Sequence, residues 1–190
     1  MPEPVDPQDI INEMSANAAL YDRVRRDATQ MQDIPAQTFE AMEVGIRRIQ
    51  EDLALDKHIT DVSTKLEIPP NLLRFLAAKE SVGDSQAASS AGAQGLMQFM
   101  PATAKEMGLE DPFDPIASVD AAGKYMAKLL KRYDGDVPTA LAAYNWGMGN
   151  VGKYKKGTKD MPKETRDYVG VVTTFVEEPP VFEDARSDSH

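Results

Sequence analysis

Residues 78–101 read Ala-Lys-Glu-Ser-Val-Gly-Asp-Ser-Gln-Ala-Ala-Ser-Ser-Ala-Gly-Ala-Gln-Gly-Leu-Met-Gln-Phe-Met-Pro. They place one carboxylate, Glu80, near the end of a helix and follow it with a glycine-punctuated segment. The helix is expected to begin after Pro69-Pro70, with Asn71 as its N-cap. Its apolar positions, Leu72, Leu73, Leu76 and Ala77, form a stripe whose next step of four residues falls on Glu80. A core-facing glutamate is costly unless it is neutral or paired, so the spacing predicts a raised pKa. A proton donor working near neutral pH needs that property. The alternative is a helix-end glutamate that tips into solvent or pairs with a lysine, as structural carboxylates commonly do.

Working outward, the 190 residues suffice for one domain with extra elements. The chain is 42% hydrophobic, and no apolar run approaches the roughly 20 residues of a membrane span. The opening Met-Pro-Glu-Pro-Val-Asp-Pro is acidic and proline-rich, so no export leader is expected and synthesis in a cytoplasm is. With no cysteine, disulfides and thiolate metal sites are excluded. Only His58, read as a helix-end residue, and His190 at the terminus could supply imidazole. A histidine-rich metal site and a serine–histidine hydrolase are therefore disfavoured, and no metal or organic cofactor is implied. Net charge is −10 and lies at the ends. Residues 1–58 carry six basic and twelve acidic side chains, residues 59–176 fourteen of each, and residues 177–190 one basic and five acidic. Acidic ends argue against nucleic acid and against anionic membrane surfaces, while remaining compatible with a basic protein partner.

Three segments follow. Residues 1–58 read as helical. Ile11, Met14, Ala18, Tyr21, Val24, Ala28 and Met31 form one stripe, broken at Asp33-Ile34-Pro35. Phe39, Met42, Ile46, Ile49 and Leu53, spaced 3, 4, 3, 4, form a short seam. This segment has two readings: a docking or self-association module, or a pair of helices packed on the chain's own body. Residues 59–176 alternate helical patterns with glycine and proline punctuation. One helix starts at Met100-Pro101 and stops at Gly108; another carries the stripe Ile116, Val119, Gly123, Met126, Leu130 and Tyr133. A third is capped by Asp136 and stops near Gly147, and the last carries Thr165, Tyr168, Val169, Val172 and Val176. Strands are missing apart from a short hairpin expected within residues 83–95. From Glu177 onward the chain reads as an acidic extended tail. The expected fold class is mainly α.

Glu80-Ser81, then Ser89-Ser90-Ala91-Gly92-Ala93-Gln94-Gly95-Leu96-Met97-Gln98, then Ala143-Tyr144-Asn145, then Glu164-Thr165 occur in one order. Together they resemble the catalytic family of soluble lytic transglycosylases, whose fold is like that of goose lysozyme. The resemblance covers about residues 60–175. It implies that Glu80 is the single catalytic acid and base. It also implies that Ser89 contacts the acetamido or peptide-bearing region of a sugar and that Gln98 and Met100 line a glycan groove. Tyr144 and Asn145 would flank the reacting ring, and Glu164 would lie near the peptide-bearing sugar. Trp146 departs from the alanine of many relatives and reads either as extra stacking for a sugar or as a core residue. Met148 stands where proline is common.

The implied reaction is non-hydrolytic cleavage of the bond between N-acetylmuramic acid and N-acetylglucosamine in peptidoglycan, closing a 1,6-anhydro ring. Most glycosidases use two carboxylates, and an intramolecular attacking hydroxyl explains how one can suffice. Asp84, Asp111 and Asp114 are the aspartates that would instead make a hydrolytic lysozyme, although aspartates at turns usually cap or solvate. A third alternative is a structural protein with an inactive, glycan-binding body. The lysines at 153, 155, 156 and 159 read as a solvated loop or as the border of a groove for anionic glycan. With the absent leader, the resemblance points to a bacteriophage protein acting on the cell wall, as a lysis enzyme or carried in the particle. A phage structural protein or a second copy would then be the partner of residues 1–58.

Overall fold

The computed structural model describes residues 19–24, 26–28, 34–69 and 71–177. Residues 19–24 and 26–28 are helical. Eight helices follow: α1 (Ala36–Glu51), α2 (Leu53–Lys65), α3 (Leu72–Ser81), α4 (Pro101–Glu106), α5 (Pro115–Arg132), α6 (Val137–Trp146), α7 (Met148–Lys155) and α8 (Lys163–Glu177). Among the described residues there are no named strands, in keeping with the mainly helical class expected. The buried apolar residues of these helices form one continuous core, running from Leu20 to Phe175.

Several helix ends form as the sequence predicts. Pro101 and Pro115 occupy first turns, where the missing N–H is an orphan donor anyway. The Asp136 carboxylate accepts from the Thr139 N–H at 3.1 Å, and Gly147 ends α6 at φ 90°. Asn71 does not cap α3. It sits in the left-handed region at φ 66°, and its side-chain oxygen accepts from Arg74 instead. The N–H groups it would have capped follow a turn closed by the Leu72 N–H on the Pro69 carbonyl.

The seam of residues 39–53 is not one helix. The chain breaks at Asp52, whose carboxylate accepts from the Leu55 N–H at 3.0 Å and starts α2. Leu53 is consequently 64% exposed, and the buried stripe restarts at Leu55, Ile59 and Val62. His58 therefore lies inside a helix rather than at its end, bonded to Asp120 at 2.9 Å. Met42, Ile46 and Ile49 are buried in the common core, so this stripe packs on the chain's own body. Leu20, Val24 and Ala28 are buried in the same core. Ile11, Met14, Ala18, Met31 and Asp33 lie outside the described residues, as does the tail from residue 178. The expected hairpin is reduced to two isolated bridges, Ala88 with Gln94 and Gln94 with Phe99. Ile116, expected on the buried face of α5, is 39% exposed at its first turn.

Candidate active site

Glu80 closes the buried stripe of α3. Residues Leu72 to Ala78 are all buried, and Glu80 stands partly exposed in the last turn, one residue before the helix ends at Ser81. Its Oε1 accepts a 2.6 Å hydrogen bond from the Tyr168 hydroxyl of α8. Burial pushes the Glu80 carboxyl from 4.5 up to about 7, against the opposing pull of the Tyr168 hydrogen bond and the Lys79 charge. The raised proton affinity expected from the stripe is therefore present. The Lys79 ammonium lies 5.6 Å from the Tyr168 ring centre.

Glu80 lies in a cleft of about 410 Å³ whose lining includes the six residues that the resemblance places around a glycan: Ser89, Gln98, Met100, Tyr144, Asn145 and Glu164. They come from four parts of the chain. The loop after α3 supplies Ser89 and Gln98, and Met100 caps α4. Tyr144 and Asn145 end α6, and Glu164 begins α8. The helix-ending Gly147 and the first turn of α8 thus bring the far half of the chain back onto the near half.

The local bonds decide what each side chain can offer. The Ser89 hydroxyl accepts from the Ala93 N–H at 2.9 Å, which folds the Gly92 turn and leaves its own O–H to donate. Gln98 differs from its expected part. Its Nε2 donates to the carbonyls of Ala87 at 3.1 Å and Gly95 at 2.9 Å, with the backbone held at φ 48°. Both amide donors hold the loop, and only Oε1 remains for a ligand. The loop is pinned at Gly95 as well, where a Cβ would come 1.7 Å from the Pro112 carbonyl oxygen.

The Tyr144 hydroxyl donates to the Met97 carbonyl at 3.3 Å, and its ring packs between Phe99 and Tyr125 at 6.4 and 5.5 Å. Burial, with the Glu80 charge second, raises the phenols of Tyr144 and Tyr168 well above 10, so both remain donors. Asn145 is oriented by the buried Thr165, whose hydroxyl donates to its Oδ1 at 2.9 Å. The Asn145 amide N–H groups are then the donors left facing ligand chemistry.

Tyr168 and Tyr125 are the residues that sequence reasoning missed. In the sequence Tyr168 reads as one apolar step of the last helix. The available signal was its hydroxyl, because a buried phenol needs a hydrogen-bond partner. Tyr125 had no signal beyond its aromatic ring. Trp146 does not line the cleft; it meets Tyr154 edge-on at 6.4 Å and the Lys159 ammonium at 5.0 Å. The residues at 153, 155, 156 and 159 do not line it either.

The three aspartates weighed as a second carboxylate are held by backbone. Asp84 accepts from the Gln86 N–H, Asp111 from Phe113, and Asp114 caps α5 through Ile116 and Ala117. None lines the cleft, whose carboxylates are Glu80 and Glu164. Among the described residues no group of three His, Asp or Glu could hold a metal ion.

A cleft with one carboxyl of raised proton affinity, a phenol bonded to it and an aromatic flank suits general-acid chemistry. Residues 57–166 match the family described as the Transglycosylase SLT domain, and the chain belongs to that family. It is 38% identical over 100 residues to a transglycosylase of Enterobacteria phage PRD1, spanning 53% of this chain and 37% of that protein. It is also 38% identical over 112 residues to the peptidoglycan transglycosylase gp16 of Escherichia phage T7, spanning 52% of this chain but 8% of that protein. An inactive mutant of lytic transglycosylase Slt from Pseudomonas aeruginosa shares the fold. The TM-score is 0.56 at 20% identity, covering 93% of this chain and 37% of the other. The chain thus spans well under half the length of these proteins. No described helix is long and apolar enough to cross a membrane.

Proposed function

We propose that this chain is a peptidoglycan lytic transglycosylase with Glu80 as its acid and base. The observation that carries the reading is the Glu80 carboxyl, held near pKa 7 inside the cleft and bonded to Tyr168. Protonated Glu80 gives its proton to the glycosidic oxygen between N-acetylmuramic acid and N-acetylglucosamine, and the bond to C1 breaks. The substrate's acetamido oxygen supports the positive charge at C1. The Glu80 carboxylate, now steadied by the Tyr168 O–H, takes the proton of the muramic C6 hydroxyl as that oxygen bonds to C1. The product is a 1,6-anhydro ring, no water is consumed, and Glu80 ends protonated as it began. A carboxyl poised near neutrality suits a group that both gives and takes a proton in one cycle. Ser89, the Gln98 oxygen, Met100, Asn145 and Glu164 would hold the glycan around that bond, with Tyr144 and Tyr125 as its aromatic flank.

The engagement of Asp84, Asp111 and Asp114 with backbone N–H groups favours this scheme over a hydrolase using one of them. The family's phage members favour a wall-opening role for a phage, carried in the particle or acting at lysis. The test is digestion of purified peptidoglycan followed by mass spectrometry of the fragments. Anhydro ends, lighter by one water than reducing ends, are expected; reducing ends alone would establish hydrolysis. Glu80→Gln is expected to yield no fragments, and wild-type turnover in that variant would remove Glu80 from the mechanism. Proteomics of purified particles tests carriage: absence of this chain's peptides would leave the lysis role.

A further inference from the structure

We infer that α1, which lies outside the family-matched residues 57–166, is a positioning brace for the Glu80–Tyr168 pair. The pair spans two helices, α3 and α8, and its 2.6 Å bond needs both held in register. Helix α1 touches both. On α3, Gly45 lies so close that a Cβ would come 2.9 Å from the Ala78 Cα and 3.1 Å from the Val82 carbonyl carbon. Ala78 and Val82 bracket Glu80, two residues to either side. The Arg48 guanidinium adds a 3.0 Å bond from Nη1 to the Val82 carbonyl. That bond satisfies an acceptor at the end of the acid-bearing helix, which continues no further. On α8, the Phe39 ring stacks on Phe175 at 6.3 Å and 23°, and Phe175 meets Phe75 of α3 at 5.8 Å. Phe175 follows Tyr168 by two helical turns on the same face. One helix therefore meets the acid's helix through its backbone and the phenol's helix through an aromatic stack.

A close-packed helix transmits a displacement instead of absorbing it. A shift of α3 lengthens the Tyr168–Glu80 bond, while Glu164 and Asn145 stay with α8 and Ser89 and Met100 stay with the loop pinned at Gly95. Gly45, Arg48 and Phe39 are positioning residues in this sense, since none lines the cleft.

The inference rests on the transglycosylase reading and is tested in the full chain with Gly45→Ala, Arg48→Met and Phe39→Leu. Val44→Ser, on the solvent side of the same helix at 51% exposure, is the control. For Gly45→Ala, kcat on peptidoglycan is expected to fall about tenfold, as misplacement of a reacting group does. KM should stay within about twofold, because the cleft contacts remain. The alkaline limb of the pH–rate profile should rise by roughly half a pH unit, because the Tyr168 bond that lowers the Glu80 pKa is weakened. Arg48→Met and Phe39→Leu should move kcat and the limb in the same directions by smaller amounts, and Val44→Ser should move neither. Folded Gly45→Ala with wild-type kcat and limb overturns the brace. So does a fall in kcat that leaves the limb fixed. If Gly45→Ala does not fold, the two milder variants decide by the same criteria. Glu80→Gln assayed alongside separates the two ideas: activity in that variant defeats the transglycosylase reading itself, whereas a failed brace leaves it inactive as expected.

Discussion

Replacing Glu80 by Gln should stabilise the protein, and only above mildly acidic pH. The carboxyl titrates near 4.5 when free and near 7 in the folded cleft, with burial as the main cause. Below pH 4.5 both folded and unfolded chains hold the proton, and the wild type carries no penalty. Between 4.5 and 7 the unfolded chain releases a proton that the folded chain retains, so stability falls as pH rises. Above pH 7 the penalty is complete. At 1.36 kcal/mol per pH unit the interval amounts to roughly 3 kcal/mol. Gln keeps the shape and an oxygen for the Tyr168 hydroxyl but has no ionisation to suppress. Urea unfolding of both proteins by circular dichroism at pH 4, 6 and 8 gives the comparison. The variant should match wild type at pH 4 and exceed it by about 3 kcal/mol at pH 8. A gain that is flat with pH, or largest in acid, would refute the claim that the cleft suppresses a charge at Glu80.

On the proposed mechanism the same titration sets the pH profile: with protonated Glu80 as the starting acid, kcat/KM should decline above about pH 7, read from initial rates across pH 5–9. Tyr168→Phe removes the hydrogen bond that lowers the Glu80 pKa, so the alkaline limb should rise by about one pH unit while the rate falls. Thr165→Val frees the Asn145 amide to turn, and KM for glycan should rise about fivefold with kcat nearly unchanged, measured on soluble peptidoglycan fragments. Gly95→Ala forces a Cβ into the Pro112 carbonyl and should cost on the order of 3 kcal/mol or more by thermal melting. Gly92→Ala, with open space around it, should cost only about 1–2 kcal/mol of left-handed backbone strain.

The cleft was legible because its parts sit in short segments whose local chemistry is informative. Glu80 ends a stripe of buried leucines, Asp136 and Gly147 bound the helix bearing Tyr144 and Asn145, and Pro101 starts the helix after Met100. What escaped was set by contacts between distant segments. Tyr168 looks like its valine neighbours until α3 is laid against α8. Gln98 reads as a groove residue, yet its donors serve loop carbonyls that only the folded loop brings near. Asp52 looks like a surface position of a continuous seam, because capping of Leu55 competes with the helix only once the two helices diverge. Trp146 follows the two cleft residues directly but belongs to the opposite side of a helix end.

Val82 ends the acid-bearing helix in the left-handed region at φ 55° and ψ 33°, where a branched side chain is a poor fit. Glycine there would relieve about 1–2 kcal/mol. Selection for heat tolerance alone would therefore favour glycine at position 82, two residues from Glu80. The same exchange would give the backbone more freedom at the turn leading into the loop that carries Ser89 and Gln98, so rigidity of the cleft and relief of strain pull this position in opposite directions.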